Sequence, residues 1–147
     1  MSHHNQSELR SDLNIIQNWI EPNSQVLDLG CGHGDLLAYL KAEKKCQGYG
    51  LEINPECIVS CVTKGLSVIE HDLNHGLKHF KDGAVDTVVM TQALQAVRRP
   101  DVLLDDMLRV GKEAVSYEHL TLPTNYPVYI SGAAVSVNNT KALYTRS

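Results

Sequence analysis

No stretch of this chain is apolar for long enough to span a bilayer, and its polar N-terminus has no signal-peptide core. An excess of basic residues is also missing. The formal charge of the 147 residues is −4, which argues against unspecific binding to nucleic acid or to an anionic membrane surface. These absences make a cytoplasmic protein with at most one domain the expectation. No Cys-x-x-Cys pair occurs, and the four cysteines, Cys31, Cys46, Cys57 and Cys61, follow no framework spacing. They read as small buried thiols rather than as a disulfide set or a metal site. No internal repeat or low-complexity tract interrupts the chain.

What is present is organised by Val26-Leu27-Asp28-Leu29-Gly30-Cys31-Gly32-His33-Gly34. Val26 to Leu29 read as a buried strand, three glycines follow at alternate positions, and Asp35 opens a helical pattern. A strand ending in a glycine loop that feeds a helix N-terminus is where open α/β sheets bind nucleotide-like ligands. A dinucleotide fingerprint needs a third glycine at position 35, and that position is Asp. Asp28 and Asp35 flank the loop and oppose a doubly negative pyrophosphate, which disfavours an NAD-linked oxidoreductase. A ligand with an ammonium group, a sulfonium and no phosphate fits better, and S-adenosylmethionine answers that description. The pattern Asp28-x-Gly30-x-Gly32-x-Gly34 resembles the nucleotide loop of the class I methyltransferases.

The rest of the chain alternates helices and strands. Residues 1–11 are expected to be disordered, with Ser11 a candidate cap for a helix reaching Ile20 that carries Leu13 and Ile16 on its apolar side. Leu36, Leu37, Tyr39 and Leu40 predict a helix after the glycine loop, closed by the Lys41–Lys45 cluster. Tyr49, Leu51 and Ile53 alternate as a second strand. Glu52 follows Gly30 by 22 positions, where an acid grips a ribose diol. Asn54-Pro55 starts a helix and Gly65 ends it. Val68-Ile69 form a third strand, after which Asp72 is placed to accept from an adenine amine and Leu73 to lie against the ring. His71, His75 and His79 recur every four residues, but Asn74 and Gly76 between them predict a turn, and no metal site is expected. Asp82-Gly83 is a turn and Val85–Met90 a fourth strand, with Thr91-Gln92 facing the crevice. Pro100 opens a helix whose buried face is Val102, Leu103, Met107 and Val110. Gly111 closes it, and Ala114-Val115 begin a fifth strand. The fold class is therefore α/β, a doubly wound and mainly parallel Rossmann-like sheet.

Between Asp12 and Val115 the chain resembles the MetW family of methionine biosynthesis proteins. The matching words include Asp12-Leu13, Trp19-Ile20, Val26 to Gly32, Leu37-Ala38-Tyr39-Leu40, Gly48 to Ile53, Asp72-Leu73, and the more particular Leu94-Gln95-Ala96-Val97-Arg98-Arg99-Pro100-Asp101. The resemblance implies a class I methyltransferase fold, S-adenosylmethionine as ligand, and a supporting role beside a homoserine O-acyltransferase. The expected cofactor-binding set is Asp28, Gly30, Cys31, Gly32, Gly34, Glu52, Ile53, Asp72, Leu73 and Thr91. The alternative is a methyltransferase acting on an unidentified small molecule. Against it, no residue identifies itself as a general base and no Asn-Pro-Pro-Tyr-like word of amino methylation occurs. Arg98 and Arg99 read equally as an anion-binding or partner-facing pair and as a solvated loop before a helix.

The family-like pattern stops after Val115. Residues 116–147 hold four of the six tyrosines and a single acid, Glu118. The words Val115-Ser116-Tyr117-Glu118-His119-Leu120-Thr121-Leu122-Pro123-Thr124 resemble translated sequencing-adapter read-through. The expectation is a domain over 12–115, lacking the usual strands after the fifth and inactive as an enzyme, followed by a non-homologous tail. Its fifth strand would be an uncovered edge. The rival reading is a genuine hairpin of Val128-Tyr129-Ile130 with Ala134–Val137 around Ser131-Gly132.

Overall fold

The structure, a computed structural model, describes residues 11–91, 96–117, 126–130, 133–137 and 141–145. The elements are α1 (Ser11–Gln17), β1 (Gln25–Leu29), α2 (Asp35–Lys44), β2 (Gln47–Glu52), α3 (Pro55–Thr63), β3 (Ser67–Glu70), a 3-10 turn (Leu73–His75), β4 (Val85–Thr91), α4 (Pro100–Val110) and β5 (Gly111–Tyr117). After these come β6 (Tyr126–Ile130), β7 (Ala133–Val137) and β8 (Lys141–Thr145). The main sheet runs in the order β3-β2-β1-β4-β5-β8, and the first five of these strands are parallel. The chain steps outward from β1 to β3 and returns to β4 on the other side of β1. Connections leaving β1 and β4 therefore diverge, which opens a crevice at the carboxyl ends of the central strands. This is the doubly wound, Rossmann-like α/β arrangement expected from the sequence.

Alternation along the central strands sorts their side chains to two faces. Leu27 and Leu29 of β1 join Val88, Met90, Leu103, Leu104 and Met107 in a core beneath α4. Val26 and Val89 join Leu13, Ile16, Ile20, Leu36 and Leu40 in a second core beneath α1 and α2. By the same period Asp28 falls on the α1–α2 face. Helix α2 lies close on β2 because β2 carries glycines there. A Cβ on Gly48 would meet Leu37, and one on Gly50 would stand 2.3 Å from Cys31 Sγ. Asn54 caps α3 by accepting from the Glu56 and Cys57 amides, with Pro55 in the first turn, as its sequence predicts.

Several expectations need correction. Helix α1 ends at Gln17, and Trp19 and Ile20 follow in a turn closed by their amides on the Ile16 and Gln17 carbonyls. Ser11 is its first residue rather than a cap. Val102 is 49% exposed, while Leu104 and Leu108 are buried, because α4 turns the 103–104–107–108 face to the sheet. Cys57 is only half-buried, with its Sγ 3.9 Å from His33 Nε2. β5 starts at Gly111, three residues before Ala114, and it is not an uncovered edge. β8 pairs antiparallel along it from Glu113–Thr145 to Tyr117–Lys141. A free strand edge presents a row of unpaired amides and carbonyls, and an extended segment satisfies them. The 128–130 and 134–137 segments do pair, as β6 and β7, but in a separate two-stranded sheet. The expected N-terminal disorder falls, apart from Ser11, outside the described residues, as do Gln92 and Gln95. Among the described residues no helix is long and apolar enough to cross a membrane.

The close approach of the glycine loop and α2 to β2 yields a direct test. Gly50→Ala is expected to lower the unfolding free energy by about 1–3 kcal/mol, the usual cost of overpacking. Urea titration reads this, and an unchanged midpoint would show that the contact is slack.

Candidate functional site

The loop after β1 is built on left-handed glycines. Gly30 and Gly32 have φ of 68° and 58°, values that L side chains rarely adopt. The Gly30 and Cys31 amides both donate to the Leu51 carbonyl, at 2.8 and 3.1 Å, which ties the loop to β2. Gly34 plays a different part. Its φ is 85°, and a Cβ there would stand 2.4 Å from Leu66 Cδ1 and 3.0 Å from Cys61 Sγ of α3, so it lets the start of α2 pack against α3.

Glu52, at the end of β2, holds the same loop from the side. Its Oε1 accepts from the Gly32 amide at 2.8 Å, and its Oε2 accepts from the Ile53 and Asn54 amides at 2.9 and 3.0 Å. Sequence spacing marked Glu52 as an acid beside the ligand; its grip on Gly32 depends on the parallel β1–β2 register and has no local signal. Lys64 was missed altogether. From the end of α3 its Nζ donates to the His33 carbonyl at 2.7 Å and to Asp35 Oδ1 at 3.0 Å, fastening the opposite side of the loop.

Asp28 lies beneath the loop with 1% of its surface exposed, and its Oδ1 has no hydrogen-bond partner. Burial, and secondarily the nearby Glu52 carboxylate, push its pKa up to about 8. It faces a cavity of about 290 Å³ lined also by Gly30, Cys31, Gly32, Thr91 and Leu13. A second cavity, of about 430 Å³, is lined by Gly30, Glu52, Ile53, Asp72 and Leu73 among others, and Gly30 belongs to both. Every expected cofactor residue except Gly34 therefore lines one of two cavities that meet at Gly30. No lysine or arginine lines either one among the described residues, whereas Asp28, Asp35, Glu52 and Asp72 do. That donor set suits a cation and repels a phosphate. The residues present thus fit the ammonium and sulfonium of S-adenosylmethionine, since a buried carboxyl oxygen without a donor is what such a cation would satisfy.

Asp72 also organises backbone. It caps the 3-10 turn by accepting from the Asn74 amide at 2.9 Å, which holds its carboxyl below the usual carboxylate range. The turn and Gly76, with φ of 71°, break any helix that would align His71, His75 and His79. Among the described residues no group of three metal-ligating side chains is placed to hold an ion. Cys31 and Cys61 bring their sulfurs to 3.8 Å, and burial pushes both thiols up, so they act as packing groups.

The family model described as "Methionine biosynthesis protein MetW" matches residues 10–123, running past Val115 where the pattern had been read to stop. The bifunctional methionine biosynthesis protein MetXA/MetW of Rhodopirellula baltica is 39% identical over 115 residues, covering 73% of this chain and 18% of that protein. The chain thus spans less than a fifth of that relative. Among solved structures, a SAM-dependent methyltransferase from Archaeoglobus fulgidus is 26% identical with a TM-score of 0.66, covering 77% of this chain and 52% of its own. A TehB-like SAM-dependent methyltransferase from Corynebacterium glutamicum, 19% identical with a TM-score of 0.61 over 74% and 62% of the chains, shares the fold.

Asp28 makes stability depend on pH in a definite direction. Its folded pKa lies above its unfolded value, so its contribution is complete below pH ~4 and is lost as the pH rises towards 8. At about 1.4 kcal/mol per unit the loss reaches several kcal/mol. Asp28→Asn is expected to match the parent at pH 4 and to exceed it in urea midpoint at pH 8. Parallel pH dependence in the two proteins would contradict the assignment.

Proposed function

This chain belongs to the MetW family of methionine biosynthesis proteins, and we propose on that footing that it binds S-adenosylmethionine and supports a homoserine O-acyltransferase in methionine synthesis, in the cytoplasm. The observation that carries the ligand is the unpartnered carboxyl oxygen of Asp28 in the first cavity. In this reading the cationic half of the ligand meets Asp28 beside Gly30, Cys31, Gly32 and Thr91. The adenosine half lies in the second cavity, with Glu52 toward the ribose diol, Asp72 toward the adenine amine, and Ile53 and Leu73 against the ring. When bound, S-adenosylmethionine supplies an activated methyl group. The residues of this chain bind and orient it, and the sequence singles out none of them as a base for a methyl acceptor. The ligand-binding domain in this proposal spans 12–115, with 116–147 outside it.

Two features support a supporting role over autonomous methyl transfer. The glycine loop is complete, while the sequence singles out no residue as the general base for a methyl acceptor. The Rhodopirellula relative carries MetXA and MetW under one name, as one bifunctional protein. The family's methyltransferase-like fold keeps transfer to a small molecule as the second reading, because one fold hosts several functions.

Calorimetric titration with S-adenosylmethionine and with NAD separates the ligand classes, and binding of the first alone is expected. Asp28→Asn and Glu52→Gln should each weaken it at least tenfold. The first removes the charge that meets the cation; the second turns an amide donor toward three backbone N–H groups. Preferential NAD binding, or unchanged affinity in both variants, contradicts the ligand. Adding the chain to its cognate acyltransferase is expected to raise homoserine acylation, and unchanged output contradicts the partnership.

A further inference from the structure

Beside the second cavity lies a groove of about 380 Å³ that shares Leu73, Asn74 and Val97 with it. Leu73, Val97 and Leu103 form its apolar floor, and Val102, exposed against expectation, stands at its edge. Its charges are not all available. Asp106 accepts from the Leu77 amide at 2.8 Å and from Arg109 at 3.4 Å, so its carboxylate is compensated from within. Arg99 turns its fork on Asp101, at 3.1 and 3.0 Å. Lys78 and Arg98 remain, both exposed; neither charged end is tied by a side-chain hydrogen bond or ion pair to the described residues, and Arg98 also acts electrostatically on Asp72. Arg98 is nevertheless held in place through its backbone, whose amide donates to Asn74 Oδ1 at 2.9 Å. In a chain of net charge −4 this is a local positive rim over an apolar floor.

Such a surface is complementary to an acidic segment bearing an apolar anchor: opposite charges steer and register the encounter, and the buried apolar contact supplies affinity. We infer that this groove is the docking surface for an acidic, apolar-anchored segment of the homoserine O-acyltransferase, an inference that rests on the partnership proposed above. Lys78 and Arg98 meet its carboxylates and the anchor covers Val102 and the floor. The Arg98-Arg99 pair thereby divides its labour, Arg98 facing the partner and Arg99 fixing the start of α4 through Asp101.

The test is titration of the full chain into fluorescently labelled cognate acyltransferase, read by anisotropy at low and moderate salt. The Lys78→Glu/Arg98→Glu double variant and Val102→Asp are each expected to lose at least tenfold in affinity, and Arg98→Gln to lose less. Lys45→Glu, on the far end of α2, should stay within twofold of the parent. Melting temperatures of the groove variants and the S-adenosylmethionine affinity of Val102→Asp should remain near the parent's, and parent affinity should fall with salt. Retention of binding within twofold by the double variant and Val102→Asp overturns the groove while leaving the partnership standing. Absence of binding by the parent removes the partnership, and this inference with it. If the variants lose self-association instead of acyltransferase binding, the groove belongs to a second copy and the inference is overturned.

Discussion

A carboxyl group closed off from water must be protonated, paired or destabilising, and Asp28 forces that choice at the end of the central strand. β1 is flanked on both sides by parallel neighbours, so its last residues cannot turn to solvent. Asp28 pairs in register with Gly50 on one side and Val89 on the other, beneath the glycine loop. No side chain of the described structure satisfies its Oδ1. Burial pushes its pKa up to about 8, which favours the protonated carboxyl near neutral pH. A cationic ligand relieves the constraint, and a phosphate would worsen it. Stability is spent at the position where the ligand's charge is expected, a common arrangement at binding sites.

The loop over Asp28 is held from three directions. Leu51 takes two of its amides, Glu52 takes the Gly32 amide, and Lys64 spans the His33 carbonyl and Asp35. Glycines at 34, 48 and 50 let α2 settle close enough for these bonds to form. In the proposed site, recognition and architecture would share atoms: Glu52 and Asp72 line the second cavity and also fix backbone on either side of it. Asn74 extends that economy, because its amide is bound by Asp72 while its side chain holds Arg98. One short turn thus joins the second cavity to the groove beside it.

Much of this was legible in the residues. The strand–glycine–helix word placed the crevice, Asn54-Pro55 placed the start of α3, and the separation of Glu52 from Gly30 put both at the same sheet end. These signals are local or depend on one parallel register. The features that were not legible depend on tertiary choice. Val102 fits an apolar face at helical spacing as well as Leu104 does, and only the orientation of α4 on the sheet decides between them. Lys64 carries no local signal of a role; α3 brings it to the loop. β8 has no pattern that announces its partner; the open edge of β5 selects it. Gly34 carries the word of the ligand loop yet packs two helices together.

The account stands on the state of one proton. Carbon-13 NMR titration of the Asp28 carboxyl, with and without saturating S-adenosylmethionine, tests it most directly. The free protein should titrate near pH 8, and the bound ligand should bring the carboxyl down into the ordinary carboxylate range with release of a proton. An ordinary pKa in the free protein, or a value unmoved by the ligand, would contradict it.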